Sequence, residues 1–320
     1  MKWKNRRKSD NVRKANSNHS RGPRRMPGRI PMAIPIGGGS GLIVILAIIL
    51  LLKFFSPAAP ASNDSNIVST DENYEASEED TDLSNDLEEF LAVVLADTED
   101  VWNAKFKEAG YEYEEPTLVL YNGYVRTACG TGNSKMGPFY CPADQTVYID
   151  PNFYYELKTQ FGAPGDFAFA YVLAHEVGHH VQNLLGITDQ VFNMKSRLSE
   201  TESNKLTVRL ELQADYLAGV FASYVGDKGY LEIGDIDEAI NAAAAVGDDK
   251  IQYESIGRVI PDKFTHGTSQ QRQKWFKLGY KYGDLAHGDT FDIAYEQLFI
   301  PLDELTLLKD SLDKELILAL

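Results

Sequence analysis

From Asp86 onward apolar residues recur at helical spacing. Leu87, Phe90, Leu91, Val94, Leu95, Val101, Trp102 and Phe106 fall on one stripe, and Gly110 offers a stop. Two short runs rich in β-branched and aromatic residues, Leu118 to Tyr121 and Thr146 to Ile149, predict strands. Phe167 to Ala174 then leads without a breaker into a helix that continues to Leu185 and stops at Gly186. A second helix is expected over Asn204 to Val225, with Leu206, Leu210, Leu217 and Phe221 on its buried stripe. Leu305, Leu308, Leu312 and Leu316 predict an amphipathic helix near the end, read as packing rather than as a partner surface. Together these elements predict an α+β fold: an N-terminal helix, a small mostly antiparallel sheet, then a mainly helical second half.

The first third of the chain follows a different pattern. Residues 33–55 include an uncharged run from Ala33 to Leu52 that ends in the densely apolar Leu42 to Leu52. Twenty helical residues span about 30 Å, enough to cross a bilayer core. A cleaved signal peptide or a buried core helix would be the alternatives. The basic region before it is long for a signal, and the segment is apolar all round, unlike an amphipathic core helix. It is therefore expected to be a single membrane anchor. Residues 56–84, rich in Ser, Asn, Asp, Glu and Pro, are expected to form a solvated stalk. The expected layout is a basic tail (1–32), an anchor (33–55), a stalk (56–84), a catalytic domain (85–295) and a helical extension (296–320).

Charge sharpens this layout. Of 320 residues, 31 are Lys or Arg and 47 are Asp or Glu, yet residues 1–29 hold 11 basic and one acidic residue. The rest of the chain carries a net charge of −26, which repels phosphate backbones and argues against a nucleic-acid partner. Positive charge before the anchor and negative charge after it place the tail in the cytoplasm and the body outside a bacterial cell membrane. The only two cysteines, Cys129 and Cys141, bracket a Gly-rich loop. In an extracytoplasmic body they are expected to form a disulfide, the alternative being two buried thiols. No base accompanies either, so a catalytic thiol is not expected.

The helix through residue 175 contains His175-Glu176-Val177-Gly178-His179. Four residues advance a helix by about 400°, so His175 and His179 share one face, one turn apart, and can both reach a Zn²⁺ at about 2.0–2.1 Å. Glu176 lies about 100° round the helix, placed to act as a base on water rather than as a ligand. A catalytic zinc needs a third protein ligand. Gln182 and Leu185 stand where a metzincin would need Gly and His, which removes that class. Glu211 in the second helix is the candidate ligand, and Asp215, one turn on, could accept the outer N–H of a ligand histidine. Two acids on a solvated helix face would be the alternative, but the apolar neighbours argue against it. Glu200 and Glu202 are rival ligands whose polar surroundings suggest a loop. His180 points elsewhere and is read as packing or as a support behind the ligands.

The sequence resembles the neutral zinc metallopeptidase family of bacterial membrane-anchored proteins from Met1 to about Phe291. The matching segments are Gly137 to Asp144, Ala174 to Gln182, Arg209 to Asp215, Gly247 to Asp249 and Phe264 to Arg272, together with Trp3, Arg6, Arg7 and Ser9 to Val12. The resemblance implies a zincin-like metallopeptidase domain of the gluzincin kind, one zinc per chain, Glu211 as third ligand and a peptide or protein substrate. Related chains often carry Cys where this one has Tyr216 and Gly288, which suggests that a second disulfide is missing. His266 and Arg272 further resemble a His-Pro-x-x-x-x-Arg segment of prenyl-protein-processing membrane metallopeptidases, which makes His266 a candidate catalytic donor to the scissile carbonyl, with Arg272 as its neighbour in charge or as a support for the helix start. A loop capping the next helix is the other reading. Along the strand before the zinc helix an extended peptide could pair, and Thr146 to Asp150 is the expected edge. The function so expected is metal-assisted peptide hydrolysis. The alternative is a zinc-binding cell-envelope protein, regulatory and non-proteolytic; a purely structural protein would make the motif a coincidence.

Overall fold

The computed structural model describes residues 1–15 and 78–299. Within them, β1 (Val12–Lys14) precedes α1 (Glu78–Glu108), followed by β2 (Thr117–Leu120), β3 (Tyr124–Thr127), β4 (Gly130–Asn133), β5 (Phe139–Cys141) and β6 (Thr146–Ile149). Helices then take over: α2 (Phe153–Thr159), α3 (Asp166–Leu184), α4 (Ile187–Lys195), α5 (Glu200–Asp227), α6 (Asp235–Ala245), α7 (Asp248–Ile256) and α8 (Ser269–Tyr282). The fold is α+β, mostly helical with a small sheet, as the sequence pattern implies.

Every apolar position of the predicted N-terminal stripe, from Leu87 to Phe106, is buried on α1. The helix begins at Glu78, so the last residues of the expected stalk belong to it. Glu200 and Glu202 also lie in a helix rather than a loop. Ser199 caps α5 by accepting the Glu202 N–H at 3.3 Å, and both acids sit favourably in its first turn, near the positive end of the helix dipole.

The sheet differs from the expected antiparallel arrangement. Its strand order is β1-β2-β6-β5; β1 pairs with β2 and β2 with β6 in parallel, and only β5 runs antiparallel, to β6. The parallel pairs arise because long connections, including α1 between β1 and β2, return each strand in the same direction. β6 is therefore interior, and all four of its residues are buried. The expected edge at Thr146 to Asp150 is not an edge; the strand at that end of the sheet is β5. A separate β3–β4 hairpin precedes β5, and a disulfide joins Cys129 to Cys141. Closing so short a loop contributes roughly 3 kcal/mol in the chain-entropy model.

The basic N-terminus is the largest departure. Over residues 1–15 the expected separate tail is an arm packed on the body. Met1 is buried, the Trp3 ring lies edge-on to Phe90 at 5.6 Å, and β1 extends the sheet beside β2. Its charges meet the acidic α1: Arg6 pairs with Asp97, Arg7 with Glu99 (2.8 Å) and Asp100 (2.7 Å), Lys8 with Glu89 (2.9 Å), and Lys14 with Glu88 (2.5 Å). The exposed pairs among these are worth about 0–1 kcal/mol each, so strand pairing, the burial of Met1 and Trp3 and the largely buried Arg6–Asp97 pair hold the arm. The arm and the body thus form one folded unit. A single crossing of a membrane by residues 33–55 would set them on opposite sides and break this interface. The anchor segment, residues 16–32 of the tail, 56–77 of the stalk and 300–320 of the extension lie outside the described residues. Among the described residues no helix is long and apolar enough to cross a membrane. The start of the expected extension, the 3-10 turn Tyr295–Phe299, packs on the body; Leu298 is buried, and Lys274 Nζ donates to the carbonyls of Gln297 (3.1 Å) and Leu298 (3.2 Å).

Helices α3, α5 and α8 form the core that carries the candidate site. Glycines set their spacing: a Cβ at Gly279 of α8 would lie 1.9 Å from the Tyr216 carbonyl oxygen of α5, and one at Gly219 would lie 2.1 Å from that of Phe276. Only glycine lets these two backbones approach so closely.

Candidate metal centre

On α3, His175 and His179 project from one face toward Glu211 of α5. The Nε2 of His175 lies 3.2 Å from one Glu211 carboxylate oxygen, and the Nε2 of His179 lies 3.6 Å from the other. One ligand atom from each of the three residues falls within 4.8 Å of the other two. Around a tetrahedral ion bound at 2.0–2.1 Å, ligand atoms are about 3.3 Å apart, so the cluster has the dimensions of a zinc site. All three side chains are buried, and His179 Nε2 has no hydrogen-bond partner. A buried nitrogen aimed at two other donors, with no proton acceptor of its own, fits a metal ligand. The residues present suit the ion.

The imidazoles are held by their outer nitrogens. Asp215 Oδ1 accepts from His175 Nδ1 at 2.9 Å, and Gln182 Oε1 accepts from His179 Nδ1 at 2.9 Å. Gln182 is itself oriented, because its amide donates to Leu210 O (2.8 Å) and Gln213 Oε1 (3.0 Å). Both rings therefore hold a proton on Nδ1, which leaves Nε2 of each as the inward-facing ligand atom. Burial disfavours charge on His175, but the neighbouring Asp215 carboxylate outweighs it and raises the pKa to about 9 in the metal-free protein. Burial lowers His179 to about 4. Burial would raise Glu211, yet the imidazoles of His179, His266 and His175 hold its carboxyl below the usual range. An anionic Glu211 and a neutral His179 are the forms that bind a cation, and loading His175 would release a proton.

Glu176 is buried beside this cluster. One of its oxygens, Oε2, has no hydrogen-bond partner, and burial raises its carboxyl to about 7.

A family model described as "Putative neutral zinc metallopeptidase" matches residues 1–291. The chain belongs to the neutral zinc metallopeptidase family. It is 46% identical over 293 residues to the Uncharacterized protein YpfJ of Escherichia coli (strain K12), covering 91% of this chain and 99% of that protein. It is also 46% identical over 193 residues to the Uncharacterized protein Rv2575 of Mycobacterium tuberculosis (strain H37Rv), covering 57% of this chain and 64% of that one. No solved structure matches it.

In this zinc metallopeptidase family member the remaining predicted residues also gather near the cluster. Arg272 of α8 does not support the helix start beside His266. Its Nε donates to Asp215 Oδ2 at 2.8 Å and its Nη2 to Asp215 Oδ1 at 2.9 Å and Tyr171 Oη at 3.1 Å. His266 is buried just before α8, and its field reaches both Glu211 and Glu176. The helix start is capped instead by Thr268 and Gln271. His180 packs elsewhere, between Tyr140 Oη (2.9 Å) and the Glu114 carbonyl (2.6 Å). Positions 216 and 288 touch, since a Cβ on Gly288 would lie 2.6 Å from the Tyr216 ring, as two residues that relatives could bridge would require.

Three residues here went unremarked in the sequence as functional: Gln182, Tyr171 and Asp248. Gln182 lies three residues after His179, a spacing that could have shown it. Tyr171, one turn before His175, donates to Asp215 Oδ1 at 2.5 Å, and the same spacing argument applies. Asp248, whose carboxylate accepts the His266 N–H at 2.6 Å, is distant from it in sequence, and no local pattern connects them.

Proposed function

We propose that this protein is a zinc-dependent peptidase with a zincin-like fold, hydrolysing peptide bonds in a peptide or protein substrate. One observation carries the reading: His175, His179 and Glu211 converge beside a buried Glu176 that keeps one oxygen without a protein partner. Zinc, when bound, supplies Lewis-acid polarisation of a carbonyl and a more acidic water. His175, His179 and Glu211 hold the ion, and Asp215 and Gln182 keep the two imidazoles in the binding tautomer. Glu176 takes a proton from the attacking water at Oε2 and delivers it to the leaving amide nitrogen. The buried setting that raises Glu176 suits it to both halves of that transfer. His266 donates to the carbonyl oxygen as negative charge develops there. β5 is the strand along which an extended substrate would pair. Its outer edge has no strand partner among the described residues, and Tyr140 ties it to α3 through His180.

The disulfide supports an oxidising, extracytoplasmic setting for the body, and the arm packed on it shares that side. The acidic body suits no nucleic-acid partner.

The test is zinc content together with cleavage of a peptide library. Glu176→Gln should keep one zinc and lose turnover; Glu211→Ala, His175→Ala and His179→Ala should lose most of the metal. Zinc-loaded wild type that cleaves nothing beyond the Glu176→Gln level would instead identify a non-proteolytic zinc protein. Zinc bound as tightly by Glu211→Ala as by wild type would remove Glu211 from the ligand set.

A further inference from the structure

Gly186, in the left-handed region at φ 73°, turns the chain off the end of α3 and lays α4 against α5. Lys195 is the last residue of α4, and its Nζ reaches across to donate to the Thr207 hydroxyl at 2.6 Å. That hydroxyl gives its own proton to the Ser203 carbonyl at 3.1 Å, so toward the lysine it only accepts. One of the three ammonium N–H groups is thereby used. Among the described residues Lys195 forms no ion pair, unlike Lys105 with Glu108 or Lys205 with Glu202.

This ammonium lies beside the metal cluster. Thr207 stands one turn before Glu211 on α5, and residues so spaced share a face with Cβ atoms about 5–6 Å apart. Burial pulls the Lys195 pKa down, and the neighbouring charge that opposes this is Glu211. The contacts of α3 step along α5 in the same direction. Its Tyr171 and His175 meet Asp215, His175 and His179 meet Glu211, and Gln182 meets the Leu210 carbonyl. Thr207 lies one step further on, past His179. That is also the open side of the cluster, because the His179 side chain is 11% exposed against 6% for His175 and 4% for Glu211.

With the Glu211 charge committed to a bound ion, Lys195 is left as a half-buried cation with two N–H groups to give. A carboxylate supplies both the opposite charge and the acceptor oxygens. We propose that Lys195 is a specificity-determining residue, selecting substrates that carry a carboxylate close to the scissile bond, from the peptide C-terminus or from an Asp or Glu side chain. This deepens the peptidase reading above and rests on it. Thr207 holds the ammonium against α5, where it meets that carboxylate as the scissile carbonyl reaches the cluster.

Binding can be measured apart from turnover in the zinc-loaded full chain carrying Glu176→Gln. The probes are N-acetylated peptides of one apolar sequence. They end in a carboxylate, in an amide, or in an amide with Glu placed at each position in turn. By calorimetry a carboxylate-bearing form should bind roughly 10–100-fold more tightly than the neutral amide, the scale of a hydrogen-bonded charge pair. Adding Lys195→Met, which keeps the apolar stem, should erase that difference, with zinc content unchanged and the neutral amide bound within about 2-fold of before. A preference for the free C-terminus or for a Glu position names the source, and either upholds the proposal. Equal affinity for all forms overturns it, as does no binding of any form or a preference that survives Lys195→Met. The comparison among peptides decides even if the lysine variant fails to fold. If the preference is seen but wild type cleaves no peptide, the peptidase reading fails and the carboxylate subsite stands. Peptides cleaved by wild type but bound without preference would leave the peptidase reading and remove the subsite.

Discussion

Arg272 and Asp215 form a two-pronged buried ion pair between α8 and α5, with Nε to Oδ2 at 2.8 Å and Nη2 to Oδ1 at 2.9 Å. The same Oδ1 accepts from His175 Nδ1, so a contact between two helices sets the orientation of a candidate ligand on a third. Burial would raise the Asp215 carboxyl, and the Arg272 guanidinium overrides it and holds it low. Arg272→Lys, a point charge in place of a fork, should weaken zinc binding about 10–100-fold in competition with a chelator while the fold persists. Unchanged affinity would show that His175 is oriented without Arg272. Arg272→Ala should be harsher, destabilising by roughly 3–5 kcal/mol, because it strands a buried carboxylate.

Glu176 makes the metal-free protein sensitive to pH. Its carboxyl is raised by burial from 4.5 to about 7, so the folded state binds that proton more tightly than the unfolded chain does. The resulting stability is fully present below pH 4.5 and is lost as pH rises through 7, a difference of roughly 3 kcal/mol. Glu176→Gln has no proton to lose. Relative to wild type, its melting temperature in the metal-free state should show no pH-dependent gain near pH 4.5 and should climb between there and pH 8. A parallel pH dependence in the two proteins would mean that Glu176 titrates normally.

The arm can be caught in place without any substitution. Lys14 Nζ lies 2.5 Å from Glu88, close enough for a zero-length carbodiimide to join them as an amide. Treated membranes from cells producing the full chain should yield the Lys14–Glu88 linked peptide by mass spectrometry. Its absence, with Lys14 labelled only by reagents applied from the side opposite the body, would support the single-crossing arrangement instead.

Packing and chemistry meet at Gly279. Its Cβ position is 1.9 Å from the Tyr216 carbonyl, a backbone atom that cannot rotate away. Gly279→Ala should force α8 from α5, lowering stability by about 1–3 kcal/mol and weakening zinc binding through Arg272 and Asp215. Unfolding curves and metal titration on one preparation check both effects. A variant as stable as wild type would mean that the helices can separate at little cost.

Local periodicity was enough to determine the buried stripe of α1, the helix through His175 and His179, and most of α5, because those patterns are written within a few turns of chain. The one-turn spacing of His175 and His179, and of Glu211 and Asp215, follows from helical geometry alone, and family resemblance pointed to Glu211. Tertiary structure decided the rest. It made β6 interior rather than an edge, because strand order depends on partners far along the chain. It made Arg272, whose charge does reach His266, the two-pronged partner of Asp215, and it joined Asp248 to His266 across a turn. By composition the N-terminal charges read as a sorting signal for a membrane, since composition records charge but not what faces it. Over residues 1–15, Asp97, Glu99 and the edge of β2 face them, and that meeting is long-range, beyond any pattern within the arm itself.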